Sequence, residues 1–317
     1  MSRYRYNYCY DELVLGDDRE EVTLAPGRTT AVVLVQPIGV GIGRWYYGRL
    51  LISLREEFDR IRNNAGGVHG ERGRIVLIVP DLLGCGSACD PTLVGKDAAG
   101  GGGETATVED INKSAVVRPR RIPLLGVNDW SDQIASLMAD YERGLPRSTR
   151  LGDGVRWCVL ANGGCTPVAL AVGEKFASGT APFRGELDRI VLSAPPRLPT
   201  LLRPADATKV DKNYRTLSGL PGRLFWWYAL RKDGAFVRKF SEKNLMSRPD
   251  YLGEDWTPRC VETARACGGK SRYSTFAFLA GSLQIGYSQQ MFDSLKGSKI
   301  SIDIIRGSDK RPNKSRR

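Results

Sequence analysis

The sequence predicts an α/β fold in which helices cover both faces of a mostly parallel sheet. Short apolar runs at Ala31–Val35 and Arg74–Val79 are typical of strands that are buried on both sides. Trp45–Arg62 lies between them and has helical spacing of its apolar residues, namely Leu50, Leu51, Leu54, Phe58 and Ile61. This alternation indicates a parallel sheet, and 317 residues can bury one large core or a core with a cap.

The most informative stretch is a strand that turns directly into a helix. The apolar run Trp157–Ala161 meets a corner of small residues, and the helix-like Pro167–Val172 follows. This is the pattern of a nucleophile elbow, G-x-S-x-G, in which a sharp turn lifts one side chain above the sheet. The register places Gly163 at the serine and Cys165 at the last glycine. The elbow is therefore predicted without its nucleophile.

The other elements continue the alternation. We expect an N-terminal hairpin from Tyr4–Tyr10 and Asp11–Thr23, a helix at Trp130–Tyr141, and strands at Leu187–Ser193 and Lys299–Arg306. Residues 1–196 are predicted to form the first part of the core. Within them, about 89–123 is predicted to be a disordered insertion, because it lacks periodicity and holds four consecutive glycines. Residues 197–285 are aromatic and are predicted to form a helical cap, and 286–317 supply the last strand and a basic tail.

Composition narrows the class of protein. The net charge of +12 is concentrated in a loop and in the tail, and no nucleic-acid motif accompanies it, so a solvated surface is favoured over a nucleic-acid site. No apolar run reaches the length of about 18 residues that a membrane span needs, and no targeting leader is visible. We expect a soluble intracellular protein, although the N-terminus is open to being incomplete.

The cysteines are expected to be reduced thiols. Their number is seven, an odd number, and their spacing is irregular. Cys85 and Cys89 have a spacing that invites a zinc site, but the remaining cysteines are scattered and the chain has one histidine. Gly39, Gly41 and Gly43 form G-x-G-x-G, which is weak evidence for a dinucleotide. We therefore expect no metal and no cofactor.

Five segments carry a resemblance to a known family, and together they span most of the chain. They are Gln36–Gly43 (QPIGVGIG), Pro80–Gly86 (PDLLGCG), Leu192–Pro196 (LSAPP), Phe240–Leu245 (FSEKNL) and Ser271–Gly281 (SRYSTFAFLAG). With them the chain resembles the α/β-hydrolase superfamily, of the AB hydrolase-1-like kind, over about residues 1–309. More narrowly, it resembles a branch found in cyanobacteria and plastid-bearing organisms. Fold does not imply function, so each catalytic position is considered separately.

The resemblance implies an oxyanion hole made of backbone N–H groups. The expected donors are in the glycine-rich turn, around Ile38 and Gly39, and at Gly164 after the elbow position. Superfamily members usually begin this turn with His-Gly, whereas Gln36 and Pro37 stand here. A second interpretation, weighed equally, is that the glycines only allow a tight strand-to-helix turn.

The resemblance also implies positions for a catalytic nucleophile, acid and base. A second register makes Cys165 the nucleophile, although a small, buried, inert cysteine is the favoured interpretation. Asp309 is a candidate acid, one residue short of the common spacing, and a turn residue is the more ordinary role. The expected base is a histidine downstream of the acid, but the only histidine is His69, upstream of the elbow.

Two functions follow from these positions. The first is a catalytically degenerate hydrolase-fold protein that holds a small apolar ligand or a protein partner between cap and sheet. The second is an ester or thioester hydrolase that uses Cys165. The cap aromatics Phe225–Tyr228 either line an apolar pocket or pack as ordinary helical core.

The C-terminal segment departs from the family pattern. The resemblance implies a further strand and a final helix, but only twelve polar residues follow Ile305. We therefore expect Lys299–Ile305 to be an edge strand and apolar positions near Val33, Val35 and Leu77 to lack cover. A truncated gene model is favoured over completion by a partner.

Overall fold

The computed structural model describes residues 4–5, 9–15, 29–64, 74–89, 92–93, 123–145, 155–197, 204–244, 252–284 and 289–306. Most of the predicted insertion at about 89–123 lies outside these residues, as do His69 and Asp309. The structural statements below therefore concern the described ranges.

A six-stranded mixed sheet forms the centre of the molecule. Its strands are β2 (Tyr10–Leu15), β3 (Thr29–Val35), β4 (Arg74–Pro80), β6 (Arg156–Asn162), β7 (Glu186–Ser193) and β8 (Ser301–Ile305), in the order β2-β4-β3-β6-β7-β8. β2 is antiparallel to β4 and every other pairing is parallel. Two short strands, β1 (Tyr4–Arg5) and β5 (Thr92–Leu93), pair separately. The parallel arrangement and its helices confirm the predicted α/β class.

Three helices cover one face of the sheet. They are α2 (Val127–Gly144), α3 (Thr166–Ala177) and α9 (Gln289–Lys296), and they share a core with the inward side chains of the strands. Val33, Trp157 and Ile190 are fully buried in this core. α3 lies close to β7: a Cβ atom on Gly173 of α3 would be 2.7 Å from Ile190 Cδ1. Burial on this scale supplies most of the favourable free energy of folding.

The opposite face carries α1 (Gly48–Asn64) alone among the described helices. α1 follows a short 3-10 turn, Arg44–Tyr47, and a smaller cluster centred on Leu34, Tyr47 and Val79 joins it to the sheet. The predicted apolar face of α1 is only half-covered: Leu50 is 37% exposed and Ile61 is 58% exposed. This face of the sheet is therefore the thinner of the two layers.

Five of the described helices lie between β7 and α9 in the chain and are called here the insert helices. They are α4 (Ala207–Ser218), α5 (Leu220–Leu230), α6 (Ala235–Asn244), α7 (Trp256–Gly269) and α8 (Arg272–Ala280). Asp206 caps α4 by accepting hydrogen bonds from the backbone N–H groups of Thr208 and Lys209. α8 is the most deeply buried, with Phe276 and Ala277 inside the main core.

Three predictions about the sheet need correction. The N-terminal hairpin is wrong, because β1 pairs with β5 and β2 pairs with β4. The expected lack of cover at Val33, Val35 and Leu77 is also wrong, because all three are buried. Val33 and Val35 face the thicker layer, and Leu77 pairs with Val32 on the α1 side. The expected edge position of β8 is confirmed within the described sheet, where Ile304 and Ile305 are 56% and 55% exposed.

The expectation that the cysteines are reduced is wrong for Cys89, which is disulfide-bonded. Spacing along the sequence does not report which sulfur atoms the fold brings within bonding distance. Cys85 is free, and its thiol lies 3.3 Å from Ser274 Oγ. The pair therefore does not have the arrangement of two zinc ligands.

Candidate functional site: the turn after β6 and an aromatic cleft

The turn after β6 has the backbone of an elbow. β6 ends at Asn162, a 3-10 turn covers Gly163–Cys165, and α3 begins at Thr166. Gly163 has a φ of +56°, which confirms the positive φ expected from the elbow register. Apart from its chain neighbours, no atom of the described residues lies within 4 Å of the position that a Cβ atom on Gly163 would take. The turn therefore presents its tip to open space and carries no side chain there.

The glycine-rich turn after β3 faces the start of α3. The backbone N–H of Ile38, an expected oxyanion donor, is directed to the sulfur of Cys165. Gln36 follows β3 and begins this turn. Its side chain is fully buried, and both of its amide atoms lack a hydrogen-bond partner among the described residues. The turn thus keeps its shape, while a cysteine side chain engages one expected donor.

Helix α8 closes this region from the side of the insert helices. Thr275 Oγ1 donates to the Gly39 carbonyl at 3.0 Å, and Ser274 Oγ donates to the Gly84 carbonyl at 2.8 Å. The Phe278 ring lies against Gly164, where a Cβ atom would be 2.6 Å from ring atom Cε2. The Ser271–Gly281 segment, noted in the sequence for its resemblance, thus contacts all three turns at this end of the sheet.

Cys165 is placed as a core side chain. It is fully buried, and burial is the main cause that raises the pKa of its thiol. The neighbouring Cys85 raises that pKa further, and the hydrogen bond from Ile38 lowers it only in part. A thiol in this environment stays protonated near neutral pH, and a protonated thiol is a poor nucleophile. Because His69 and Asp309 lie outside the described residues, the structure does not place a base or an acid beside it.

A buried carboxylate that the sequence analysis did not single out holds two of the turns together. Asp81 follows β4 and is 2% exposed. It accepts hydrogen bonds from the Arg44 backbone N–H at 2.8 Å, from Arg44 Nη1 at 3.1 Å and from the Ser87 backbone N–H at 2.9 Å. Gly86 has a φ of +49°, and a Cβ atom on it would overlap the Asp81 carboxylate. The signal in the sequence was the aspartate directly after a buried strand, followed by G-C-G.

An open cleft, the aromatic cleft, lies next to the elbow. It has a volume of about 650 Å³, and its lining includes Trp45 and Tyr46 before α1, Trp256 of α7, and Asn162 and Ser193 at the ends of β6 and β7. The Trp45 and Trp256 rings are 5.3 Å apart in an edge-to-face arrangement. Burial raises the pKa of Tyr46, and the proximity of Cys165 adds to this rise. The cleft thus adjoins the elbow and is bounded by both the sheet and the insert helices.

Charged groups lie at the mouth of this cleft. Asp255 forms ion pairs with Arg49 at 3.0 Å and with Arg259 at 3.1 Å, and all three side chains are about half-exposed or more.

The sequence analysis missed Trp45 and Trp256 as residues that line the aromatic cleft. The available signal was an aromatic run directly after the glycine-rich turn.

The aromatic run in α5 takes two different environments. Trp226 is buried and packs edge-to-face on Phe276 at 5.9 Å, which is the core role. Trp227 and Tyr228 are 63% and 43% exposed. None of these residues lines the aromatic cleft.

Comparison with solved structures finds proteins of low similarity to this chain. A carboxylesterase structure from the thaumarchaeon Nitrososphaera gargenis matches 98% of this chain and 80% of its own, at 13% identity and a TM-score of 0.47. The epoxide hydrolase CorEH matches 94% of this chain and 87% of its own, at 12% identity and a TM-score of 0.47. The thioesterase domain from the curacin biosynthetic pathway matches 96% of this chain and 82% of its own, at 10% identity and a TM-score of 0.47.

No protein-family model matches the chain, and no curated protein matches it. The likeness to α/β-hydrolases therefore concerns fold, and identities this low carry no argument about activity. Within the described ranges, no helix is long and apolar enough to cross a membrane. Among the same residues, no group of three or more His, Cys, Asp or Glu side chains is placed to hold a metal ion.

Proposed function

We propose that this chain is a catalytically degenerate α/β-hydrolase-fold protein that binds a small apolar molecule, or an apolar segment of a partner, in the aromatic cleft. One observation carries the proposal: Gly163 has the strained backbone of an elbow and no side chain, while an open aromatic cleft lies beside it. A volume of about 650 Å³ is in the range of small-molecule sites. Tryptophan and tyrosine walls favour an apolar or aromatic ligand.

The insert helices act as the cap in this proposal, over residues 197–285. α7 supplies Trp256 to the cleft, and α8 packs over the turns that would otherwise bind an acyl group. We assign the chain to the branch found in cyanobacteria and plastid-bearing organisms, acting in the cytoplasm or the plastid. This assignment rests on the five segments that carry the resemblance.

The alternative, a hydrolase that uses Cys165, has little support. The thiol is fully buried, burial raises its pKa, and its neighbours are Cys85 and the Ile38 N–H. An attacking thiolate needs a lowered pKa or an adjacent base. No observation in the described residues favours this function over binding.

Titration with the neutral apolar fluorophore N-phenyl-1-naphthylamine tests the proposal. We expect saturable binding to the full chain and at least tenfold weaker binding to Trp256→Ala, because that variant removes one aromatic wall of the cleft. Trp227→Ala is the matched control, since Trp227 is an exposed tryptophan outside the cleft. Ser193→Trp, which fills the cleft from β7, is expected to weaken binding without removing a packed side chain.

Thermal melting of each variant separates loss of binding from loss of folding. The proposal is wrong if the fluorophore does not bind saturably, or if folded Trp256→Ala and Ser193→Trp bind it as well as the unchanged chain does.

A further inference from the structure

A second cleft lies entirely within the insert helices and is called here the arginine cleft. Its volume is about 410 Å³, and it lies between α5 and the junction of α7 with α8. Its charged lining residues are Arg223, Arg231, Arg265 and Arg272, and no lining residue is acidic. It shares no lining residue with the aromatic cleft. An inference about it therefore does not rest on the proposed function.

The four arginines lack carboxylate partners within the described part of the chain. Other arginines of the insert helices are paired one helical turn away: Arg215 with Asp211 at 2.7 Å, and Arg238 with Glu242 at 2.9 Å. By contrast, Arg265 donates only to the Leu230 carbonyl, at 3.5 Å. Four like charges around one cleft repel each other, and an anion in the cleft would remove that repulsion.

Two of these guanidinium groups are held in place by aromatic rings. Arg231 lies over the Tyr228 ring at 4.2 Å and over the Trp227 ring at 5.6 Å. Arg272 lies over the Tyr273 ring at 4.6 Å and donates to the Gly269 carbonyl at 2.9 Å. Stacking on a ring face fixes the guanidinium plane and leaves N–H groups along its edge available to an acceptor.

Two buried donors at the cleft have no acceptor among the described residues. They are the indole Nε1–H of Trp226, a side chain only 6% exposed, and the Nε–H of Arg272. Both residues approach Gly269: a Cβ atom there would lie 3.4 Å from Arg272 Nη1 and 3.6 Å from Trp226 Nε1. A buried donor without a partner is unfavourable, and an acceptor bound in the cleft would satisfy it.

Two consecutive glycines keep this part of the cleft free of side chains. Gly268 and Gly269 have φ values of +63° and +73°, a conformation that residues with a Cβ atom rarely adopt. No atom lies within 4 Å of a Cβ position on Gly268. The end of α7 thus exposes backbone beside the two donors.

We propose that the arginine cleft binds the phosphate group of a ligand. Arginine N–H groups suit phosphate and carboxylate oxygens alike, so the charge decides between these anions. A phosphate monoester carries a charge of about −1.5 to −2 near pH 7 and a diphosphate carries more, and both offer several acceptor oxygens, which matches four cations and two unpartnered N–H donors. A carboxylate offers one charge and two oxygens. Trp227, which also lines the cleft and is 63% exposed, would contact the organic part of the ligand.

Calorimetric titration of the full chain with inorganic pyrophosphate tests the site. We expect saturable binding that weakens at least tenfold in Arg265→Gln and in Arg231→Gln, because each loses a charge-assisted hydrogen bond. Both side chains are exposed, so neither change should unfold the chain. Trp226→Phe removes the indole N–H and keeps an aromatic ring, and it is expected to weaken binding. Because Trp226 is a core side chain, its melting temperature is expected to fall, and its binding is compared below that temperature, where the variant is folded.

Arg215→Gln and Arg238→Gln are the matched controls. They remove the same charge from the same group of helices but lie outside the cleft, so we expect binding within twofold of the unchanged chain. Equal weakening in cleft and control variants would show only the general attraction of a chain with net charge +12, and would overturn the proposal. Absence of saturable pyrophosphate binding at millimolar concentration would overturn it as well.

A second measurement distinguishes two sources of the phosphate group. Vesicles of phosphatidylcholine with and without phosphatidylglycerol are sedimented with the chain, in the presence and absence of pyrophosphate. Sedimentation only with phosphatidylglycerol, reversed by pyrophosphate and lost in Arg265→Gln, supports a lipid headgroup as the ligand. Pyrophosphate binding without sedimentation supports a free small phosphate compound. Sedimentation that pyrophosphate does not reverse would place the lipid contact elsewhere and count against the cleft.

Discussion

The elbow and the aromatic cleft are adjacent, yet they differ in what fills them. At the elbow the backbone keeps a strained turn, with Gly163 at a φ of +56°, while Cys165 and Phe278 pack against the expected donors. The aromatic cleft shows the opposite combination of backbone and side chains. The 3-10 turn before α1 and the start of α7 present Trp45 and Trp256 to an open volume. Among the described residues, the first region has the backbone turn of an elbow and no side chain at its tip, and the second has aromatic side chains around an open volume.

This difference shows that an elbow can be maintained for reasons of packing. β6 and α3 are both buried, and the turn between them must be short and tight for α3 to lie on the sheet. A glycine with positive φ meets that need whether or not a reaction takes place. The aromatic cleft has no such packing reason, because it is a concave surface lined by tryptophan and tyrosine, and this lining supports the ligand site proposed above.

The largest effect is expected at the closed region, from Asp81→Ala. Removing the carboxylate leaves the Arg44 and Ser87 backbone N–H groups without their acceptor and breaks a partly buried ion pair. We expect unfolding to become easier by about 3–4 kcal/mol, measured by urea denaturation. Asp255→Ala, at the mouth of the aromatic cleft, breaks only exposed ion pairs and is expected to cost under about 1 kcal/mol. If Asp81→Ala and Asp255→Ala lower the free energy of unfolding equally, the turns around Asp81 are not held more tightly than the mouth of the aromatic cleft, and the contrast drawn here is wrong.

A smaller effect is expected where α8 packs on the elbow. In Gly164→Ala the new Cβ atom would lie 2.6 Å from the Phe278 ring, so the ring or α8 must shift. We expect a loss of about 1–3 kcal/mol in the free energy of unfolding. The double variant Gly164→Ala/Phe278→Leu relieves the overlap and should recover part of that loss in a double-mutant cycle. Strictly additive costs would show that Phe278 does not close this region.

The sequence alone predicted the parts of the fold that repeat a simple pattern. Ala31–Val35 and Arg74–Val79 became β3 and β4, and the strand–corner–helix stretch became β6, the turn and α3, because apolar periodicity directly reflects burial on a sheet. The pairing of β1 with β5 could not be predicted, since it joins segments that are far apart in the chain and have no special pattern.

In the candidate site, too, some residues could be found from the sequence and others could not. The elbow position, Gly163, was found because small residues at a sharp turn are visible in the sequence. Trp45 and Trp256 were missed because they lie more than 200 residues apart, and only the tertiary fold brings their rings within 5.3 Å. Cys165 was visible, but its burial and the hydrogen bond from Ile38 are tertiary facts.

A serine side chain placed at the elbow is not expected to make it reactive. Gly163→Ser has room for the new side chain, but it places a residue with a Cβ atom at a φ of +56°. We expect a cost of about 1–2 kcal/mol in stability and no hydrolysis of p-nitrophenyl acetate above that of the unchanged chain, because the Ile38 donor is engaged and Cys165 is buried. Neither protein should react with a fluorophosphonate probe. Turnover by Gly163→Ser, lost on unfolding, would refute the proposed degeneracy.

The smallest effect concerns the pH dependence of stability. Burial raises the pKa of the Cys165 thiol above its ordinary value of 9.0. Both folded and unfolded chains keep this proton below pH 9, so the thiol contributes no pH dependence there. Above pH 9 the unfolded chain loses the proton and the folded chain retains it, so stability falls as pH rises. Between pH 7 and pH 9.5 one thiol should lower the free energy of unfolding by about 1 kcal/mol.

This contribution to the fall in the free energy of unfolding should vanish in Cys165→Ala. Val168→Ala, equally buried in α3 but without a titrating group, should lower stability by the same amount at both pH values and keep the full difference between them. If Cys165→Ala keeps the full difference as well, the thiol titrates alike in the folded and unfolded chains, and burial does not hold its proton. A larger fall in Cys165→Ala than in the unchanged chain would instead show a thiol that is already ionised in the folded chain, and the elbow would then hold a reactive group.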